Sequence, residues 1–129
     1  MRTQYLEKNI LDLIRRTSTS LPTDVVNGLK RARRLEVAGS SAQWAIDAML
    51  ANAELANRED RPLCSDSGTL IFYCRVPLGL DTNALTASIR TAVTRATRCG
   101  YLRQNTVDAI TGAKCSTNVG PSSPVIYYQ

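Results

Sequence analysis

The chain has 129 residues, with 16 basic and 11 acidic side chains and no histidine. Hydrophobic residues make up 43% and charged residues 21%, an ordinary globular composition at a length that fits one domain or most of one. The lack of histidine excludes Ser–His and Cys–His nucleophile pairs and Cys/His zinc sites within this chain, and no run approaches the roughly 18 apolar residues of a membrane span.

The N-terminal residues MRTQYLEKNILDLIRR include Glu7 and Asp12 and lack an apolar leader core, so a cytoplasmic location is expected. Over residues 4–16, Leu6, Ile10, Leu13 and Ile14 recur at helical spacing, which predicts an amphipathic helix. The run TSTSLP should end it. Pro22 suits the first turn of a second helix running to about Arg34, with Asp24 near its N-terminus and Val25, Val26, Leu29 and Ala32 as its stripe. Gly39–Ser40–Ser41 reads as a turn with a capping serine. A third helix is expected over 41–58, with Trp44, Ala48, Ala51 and Leu55 on one face.

Composition changes at 57–62. Residues 69–76 are β-branched and aromatic and lie between Gly68 and Pro77, which predicts a strand. Its apolar residues fall on both faces, so both faces are expected to be covered. Asp81 or Thr82 should cap a helix to about Arg98, with Leu85, Ile89, Val93 and Ala96 inward and Gly100 taking the left-handed position after it. From Tyr101 the chain turns to Thr, Asn, Ser, Gly and Pro and is expected to be loop until a strand at 125–128. The fold class is α+β: a helical part over 1–58, a mixed part over 59–129, and an incomplete sheet to be completed by missing or partner segments.

Four cysteines stand at 64, 74, 99 and 115 with no CxxC, which argues against a zinc ribbon. The excess charge is uneven. Residues 1–34 carry 8 basic and 3 acidic side chains, residues 35–60 carry 1 and 5, and residues 61–129 carry 7 and 3. A basic balance of this kind suits an anionic small substrate, an acidic partner or nucleic acid, but for Lys30–Arg31–Arg33–Arg34 a solvated helix face is the preferred reading. The aromatic residues do not form a stacking platform for bases, so no nucleic-acid partner is expected, and no membrane partner either.

The densest polar cluster is Arg61-Pro62-Leu63-Cys64-Ser65-Asp66-Ser67-Gly68-Thr69, in a helix-to-strand connection. A cysteine beside a carboxylate in a turn relaxed by glycine suits a metal or cluster ligand. The same pattern also fits a buried structural Cys64 with Asp66 and Ser67 bonded to turn amides.

This segment resembles the cluster-ligand segment of the class I fumarate hydratase and L-tartrate dehydratase family, usually R-x-P-x-C-Q-D-T-G or close to it. Leu102-Arg103-Gln104-Asn105-Thr106-Val107-Asp108 resembles the family's L-R-x-N/S-x-V-D/H stretch. Thr111-Gly112 through Asn118-Val119-Gly120-Pro121-Ser122-Ser123-Pro124-Val125-Ile126 resembles its loop and strand, typically N-T-G-x-N-T-P-x-V-I. The likeness covers nearly all of residues 20–129.

The resemblance implies the N-terminal portion of an α-type chain of an iron–sulfur hydro-lyase, which adds or removes water on a small dicarboxylate of the fumarate/malate or tartrate type. It implies a 4Fe–4S cluster held by three cysteines, whose open iron polarises the substrate hydroxyl. By position Cys64 would be one ligand. Asp66 would be the catalytic carboxylate, and Ser65, Asp66 and Arg103 would contact substrate, the guanidinium through paired bonds to a carboxylate. Asp108 and Asn118 are weaker candidates, with loop capping as their alternative.

Ser65 replaces the family's Gln and Ser67 its Thr. The other two cluster cysteines of the family lie farther downstream, so Cys74, Cys99 and Cys115 read as structural and the remaining ligands are expected outside this chain. The expected partners are the dicarboxylate, a second copy as in a dimer or other homo-oligomer, or a beta-type subunit. A second reading is a non-catalytic relic of the same fold that binds a partner or an anionic metabolite.

Overall fold

A computed structural model describes residues 2–63, 69–108 and 110–129. It is α+β: α1 (Arg2–Thr19), α2 (Thr23–Leu35), α3 (Ser41–Glu59), β1 (Ile71–Cys74), α4 (Thr82–Arg98) and β2 (Val125–Tyr128). Among the described residues no helix is long and apolar enough to cross a membrane.

Helix α1 runs farther than the sequence suggests. The TST run extends it because the Thr17 hydroxyl donates back to the Leu13 carbonyl (2.9 Å) and the Thr19 hydroxyl to that of Arg15 (2.9 Å). Those bonds keep polar side chains compatible with helix geometry. The α1 face that packs is centred on Ile10 and Ile14 with Leu11 beside them. Leu6 and Leu13, expected inside, lie at its exposed margin.

Helices α2 and α3 form a hairpin, held in part by the Arg33–Asp47 ion pair. The turn between them is built as expected. Ser40 Oγ accepts from Gln43 N (3.2 Å), and Gln43 Oε1 accepts from Gly39 N (2.9 Å), a reciprocal cap that satisfies two amides at the helix start. The buried side of α3, however, runs through Ala53 and Ala56. Trp44, expected inward, is 71% exposed. The helix is so rich in alanine that apolar residues occur on more than one side, and the stripe through Trp44 was not the one that packs.

The core is assembled on α4. Asp81 caps its first turn by accepting from Asn83 N (2.9 Å) and Ala84 N (3.1 Å). Ile89, Ala92, Val93 and Ala96 are buried against Ile10 and Ile14 of α1. Leu70, Phe72 and Cys74 of the strand region, with Ile126, pack on the same cluster. Helix α4 thus lies between α1 and the sheet.

The sheet has two parallel strands in the register Ile71↔Val125 through Cys74↔Tyr128. Parallel neighbours need a crossover connection, and α4 provides it. Tyr128 locks the far end of the unit, its hydroxyl lying 2.6 Å from Thr86 Oγ1 and donating to the Thr82 carbonyl (3.1 Å). The expectation that both faces of β1 are covered fails. Phe72 and Cys74 face the core, whereas Ile71 and Tyr73 alternate outward and are exposed. Tyr73 stacks on Tyr127 on that open face, with ring centroids 5.2 Å apart. The aromatic pair packs two of the outward side chains against each other across the strands.

Candidate functional site

The connection from α3 to β1 is anchored at both ends. Asp60 takes the left-handed C-cap position of α3 and donates its amide to the Ala56 carbonyl, and Leu63 N donates to Ser18 O of α1 (2.9 Å). Arg61 reaches over Gly100, whose φ of 79° closes α4. A β-carbon there would stand 2.8 Å from Arg61 Nη1, so glycine gives the guanidinium its place. Cys64, Ser65 and Asp66, the proposed ligand and substrate residues, lie outside the described residues. The chain is described again at Thr69 and Leu70, which line a cleft of about 800 Å³.

The same cleft is lined by Arg103 and Asp108 from the loop after α4, and by Lys114, Cys115, Asn118 and Val119 from the segment leading to β2. The stretches that flank or carry all three sequence motifs therefore converge on one cavity. Two bridges shape its wall: an antiparallel pairing of Val107 with Lys114, and a tight turn in which Gly120 N donates to Ser123 O (2.8 Å).

Arg103 is exposed, and neither its guanidinium nor the Lys114 ammonium has an acidic partner among the described residues. Asp108 is committed locally. Its Oδ1 accepts from Thr111 N (2.7 Å), Thr111 Oγ1 (2.8 Å) and Ile110 N (3.0 Å), and these bonds, the Thr111 amide first, hold its pKa below the ordinary carboxylate value.

Asn118 is 4% exposed and sits at a φ of 55°. Its Oδ1 accepts from Asn105 N (3.0 Å) and Thr106 N (3.2 Å). Its Nδ2 donates to Arg103 O (2.6 Å) and Thr97 Oγ1 (3.2 Å). Its carbonyl accepts from Ser123 Oγ (2.9 Å). Asp108 and Asn118 both stand at the cleft with their side chains engaged in loop structure.

The cysteines separate by environment. Cys74 packs on the core, and burial raises its thiol pKa. Cys99 is exposed at the C-cap of α4. Cys115 Sγ lies 3.3 Å from Val119 O and 3.4 Å from Thr117 Oγ1. The Thr117 hydroxyl, with backbone amides of residues 117–119, pulls its pKa below the ordinary thiol value. Among the described residues, no three His, Cys, Asp or Glu side chains are grouped as a metal would require. These residues alone do not form a cluster site.

The sequence of the family described as fumarate hydratase (Fumerase) is matched by residues 7–129. The chain belongs to the fumarate hydratase family. Among curated relatives, it is 33% identical over 126 residues to a provisionally named fumarate hydratase class I of Geobacillus stearothermophilus, covering 98% of this chain and 24% of the relative. It is 30% identical over 120 residues to a provisionally named L(+)-tartrate dehydratase subunit alpha of Methanocaldococcus jannaschii, covering 91% of this chain and 42% of the relative. It is 31% identical over 108 residues to the L(+)-tartrate dehydratase subunit alpha of Escherichia coli K12, covering 83% and 35%. The chain thus spans less than half the length of each of these relatives.

Lys114 lines the cleft although no motif points to it, and Cys115, read from the sequence as structural, lines it too. The signal for Lys114 was available in principle: it is the one basic residue in the loop between Arg103 and β2.

Proposed function

We propose that the chain is the N-terminal portion, residues 1–129, of an iron–sulfur hydro-lyase acting on a small dicarboxylate. The observation that supports this most is the convergence of the segment following Cys64, the Arg103 loop and the Asn118 loop on one cleft. Arg103 would grip one substrate carboxylate. Its planar guanidinium forms two parallel bonds to an anion, and it has no competing partner among the described residues. Lys114 adds a second positive charge to the same wall, which suits a substrate with two negative groups.

Cys64 would supply one ligand to a 4Fe–4S cluster, with the others contributed from outside this chain. When bound, such a cluster provides Lewis-acid polarisation of the hydroxyl that leaves or adds. Ser65 and Asp66 would border the substrate beside it, Asp66 as the catalytic carboxylate. The partners in this reading are the dicarboxylate and either a second copy or a beta-type subunit, in the cytoplasm. The family's tartrate dehydratase members named as alpha subunits support the subunit arrangement.

The decisive experiment compares wild-type, Arg103→Ala and Arg103→Lys forms of the assembled enzyme in anaerobic assays of fumarate hydration and tartrate dehydration. Loss of a charge-assisted bidentate contact should raise KM by about 10- to 100-fold, with Lys restoring only part of the loss. An unchanged KM in Arg103→Ala would remove the arginine from the substrate.

The second reading, a non-catalytic relic that binds an anion, is favoured by Ser65 standing where the family carries Gln. It predicts diacid binding in an assembly that takes up no cluster.

A further inference from the structure

Asn118 lines the cleft, yet its side chain has no group to spare for a ligand. An amide has one carbonyl oxygen with two lone pairs and two N–H donors. In Asn118 both lone pairs are engaged by Asn105 N and Thr106 N, and both donors by Arg103 O and Thr97 Oγ1. The residue is 4% exposed and holds a left-handed backbone that few residues other than glycine adopt, Asn among them. The main chain is tied as well, through Ser123 Oγ to the Asn118 carbonyl.

The bonds fall on both sides of one residue. The carbonyl of Arg103 is held from below by Nδ2 (2.6 Å), and the amides of the next two residues are held by Oδ1. Thr97, in the last turn of α4, fixes the other donor to the rigid core, and its own hydroxyl is within bonding distance of Val93 O (2.9 Å) and Thr117 O (3.1 Å). Tyr101 and Leu102 pack on the core just before Arg103, and the Asn118 amide ties the Arg103 peptide and the two residues after it to the buried helix.

We propose that Asn118 is a positioning residue that sets the placement of Arg103 for a carboxylate ligand and does not touch that ligand itself. This rests on the reading of the cleft as a dicarboxylate site. An arginine on a free loop would have to order its backbone on binding. An arginine whose peptide is already fixed loses less freedom, and the saving appears as affinity.

The test uses succinate, a diacid with neither the double bond nor the hydroxyl that the reaction needs. Its binding to the assembled protein is measured by calorimetry for wild type, Asn118→Ala, Arg103→Ala and the double variant. Hydrogen exchange at the Asn105 and Thr106 amides is followed in parallel. Asn118→Ala should expose the Thr106 amide, while the Asn105 amide keeps its second acceptor, the Arg103 carbonyl (3.0 Å), and should weaken succinate binding about 10-fold. Arg103→Ala should weaken it about 10- to 100-fold and leave the two amides protected. The double variant should bind no more weakly than Arg103→Ala alone, because Asn118 acts through the arginine.

Should Asn118→Ala fail to fold, Asn118→Asp serves instead. It keeps the acceptor for the two amides but sets a carboxylate against the Arg103 carbonyl, so binding should weaken while the amides stay protected. Multiplying losses in the double variant would overturn the positioning role. Wild-type protein that binds no succinate would instead overturn the assignment of the cleft, whatever the exchange rates.

Discussion

Thr97→Val isolates the polar contribution of the knot beneath the cleft. Valine has nearly the shape of threonine, and the site is 6% exposed, so packing hardly changes while the hydroxyl is lost. Asn118 Nδ2 then has one proton with no acceptor, since its other donor contact is already made to Arg103 O. The Thr97 hydroxyl also ceases to donate to Val93 O or Thr117 O. The Val93 carbonyl lies within a helix and should retain its backbone partner, so the orphaned amide proton dominates. Leaving one buried donor unsatisfied costs about 1–3 kcal/mol, and we expect a loss of about 2 kcal/mol. Thr97→Ser keeps the hydroxyl and removes a methyl group, for a loss of about 1 kcal/mol or less. Urea unfolding followed by circular dichroism at equilibrium measures both. Valine should therefore be the more damaging change although it is the more hydrophobic one. A valine variant as stable as wild type, or a serine variant less stable than the valine one, would refute the network as described.

Gly100→Ala should destabilise by about 1–2 kcal/mol, because a β-carbon is strained at a φ of 79°. The neighbouring Arg61 Nη1 is the end of a flexible side chain and can swing aside, so the same loss should persist in an Arg61→Ala background. Urea unfolding that shows no loss in either background would mean that the backbone there is unstrained. Asp108 gives a pH prediction. Its pKa is depressed by the Thr111 and Ile110 bonds, so its contribution is present above the ordinary value of 3.8 and is lost as pH falls through the lower folded value. The protection of the Ile110 and Thr111 amides, taken as the exchange rate relative to the intrinsic rate at each pH, should be constant over pH 5 to 7 and fall only below about pH 3.8. Asp108→Asn should remove that pH dependence, and protection that falls with wild-type amplitude in the variant would assign it to another group.

Much of the helical framework is legible in the residues themselves. Ser40 and Asp81 announce their helices because a capping oxygen is a local device, and Gly100 announces an end because its backbone geometry is local too. Ile89, Val93 and Ala96 follow from periodicity, since α4 is polar on its remaining sides. The failures concern choices that only packing makes. Helix α3 offers apolar residues on several sides, and the neighbour that covers Ala53 and Ala56 cannot be read from α3 alone. Strand β1 looks buried on both faces because Tyr73 is apolar over most of its area, yet it is used for stacking on Tyr127.

The site divides in a similar way. Motif order indicated the segments that border the cleft. It could not distinguish a side chain facing the cavity from one holding the loop. Asn118 is the clearest case, because its neighbours Thr97, Arg103 and Thr106 are 12 to 21 residues away in sequence. Lys114 entered only when the Val107–Lys114 pairing brought its loop beside Arg103's.

The claim that bears most weight is that this chain contributes a cysteine ligand to an iron–sulfur hydro-lyase. Anaerobic reconstitution of the assembled enzyme with iron and sulfide, comparing wild type with Cys64→Ala, tests it directly. Wild type should develop the visible absorption of an iron–sulfur cluster together with hydro-lyase turnover, and Cys64→Ala should lose both while retaining its fold. A variant that binds the cluster and turns over like wild type would contradict the account.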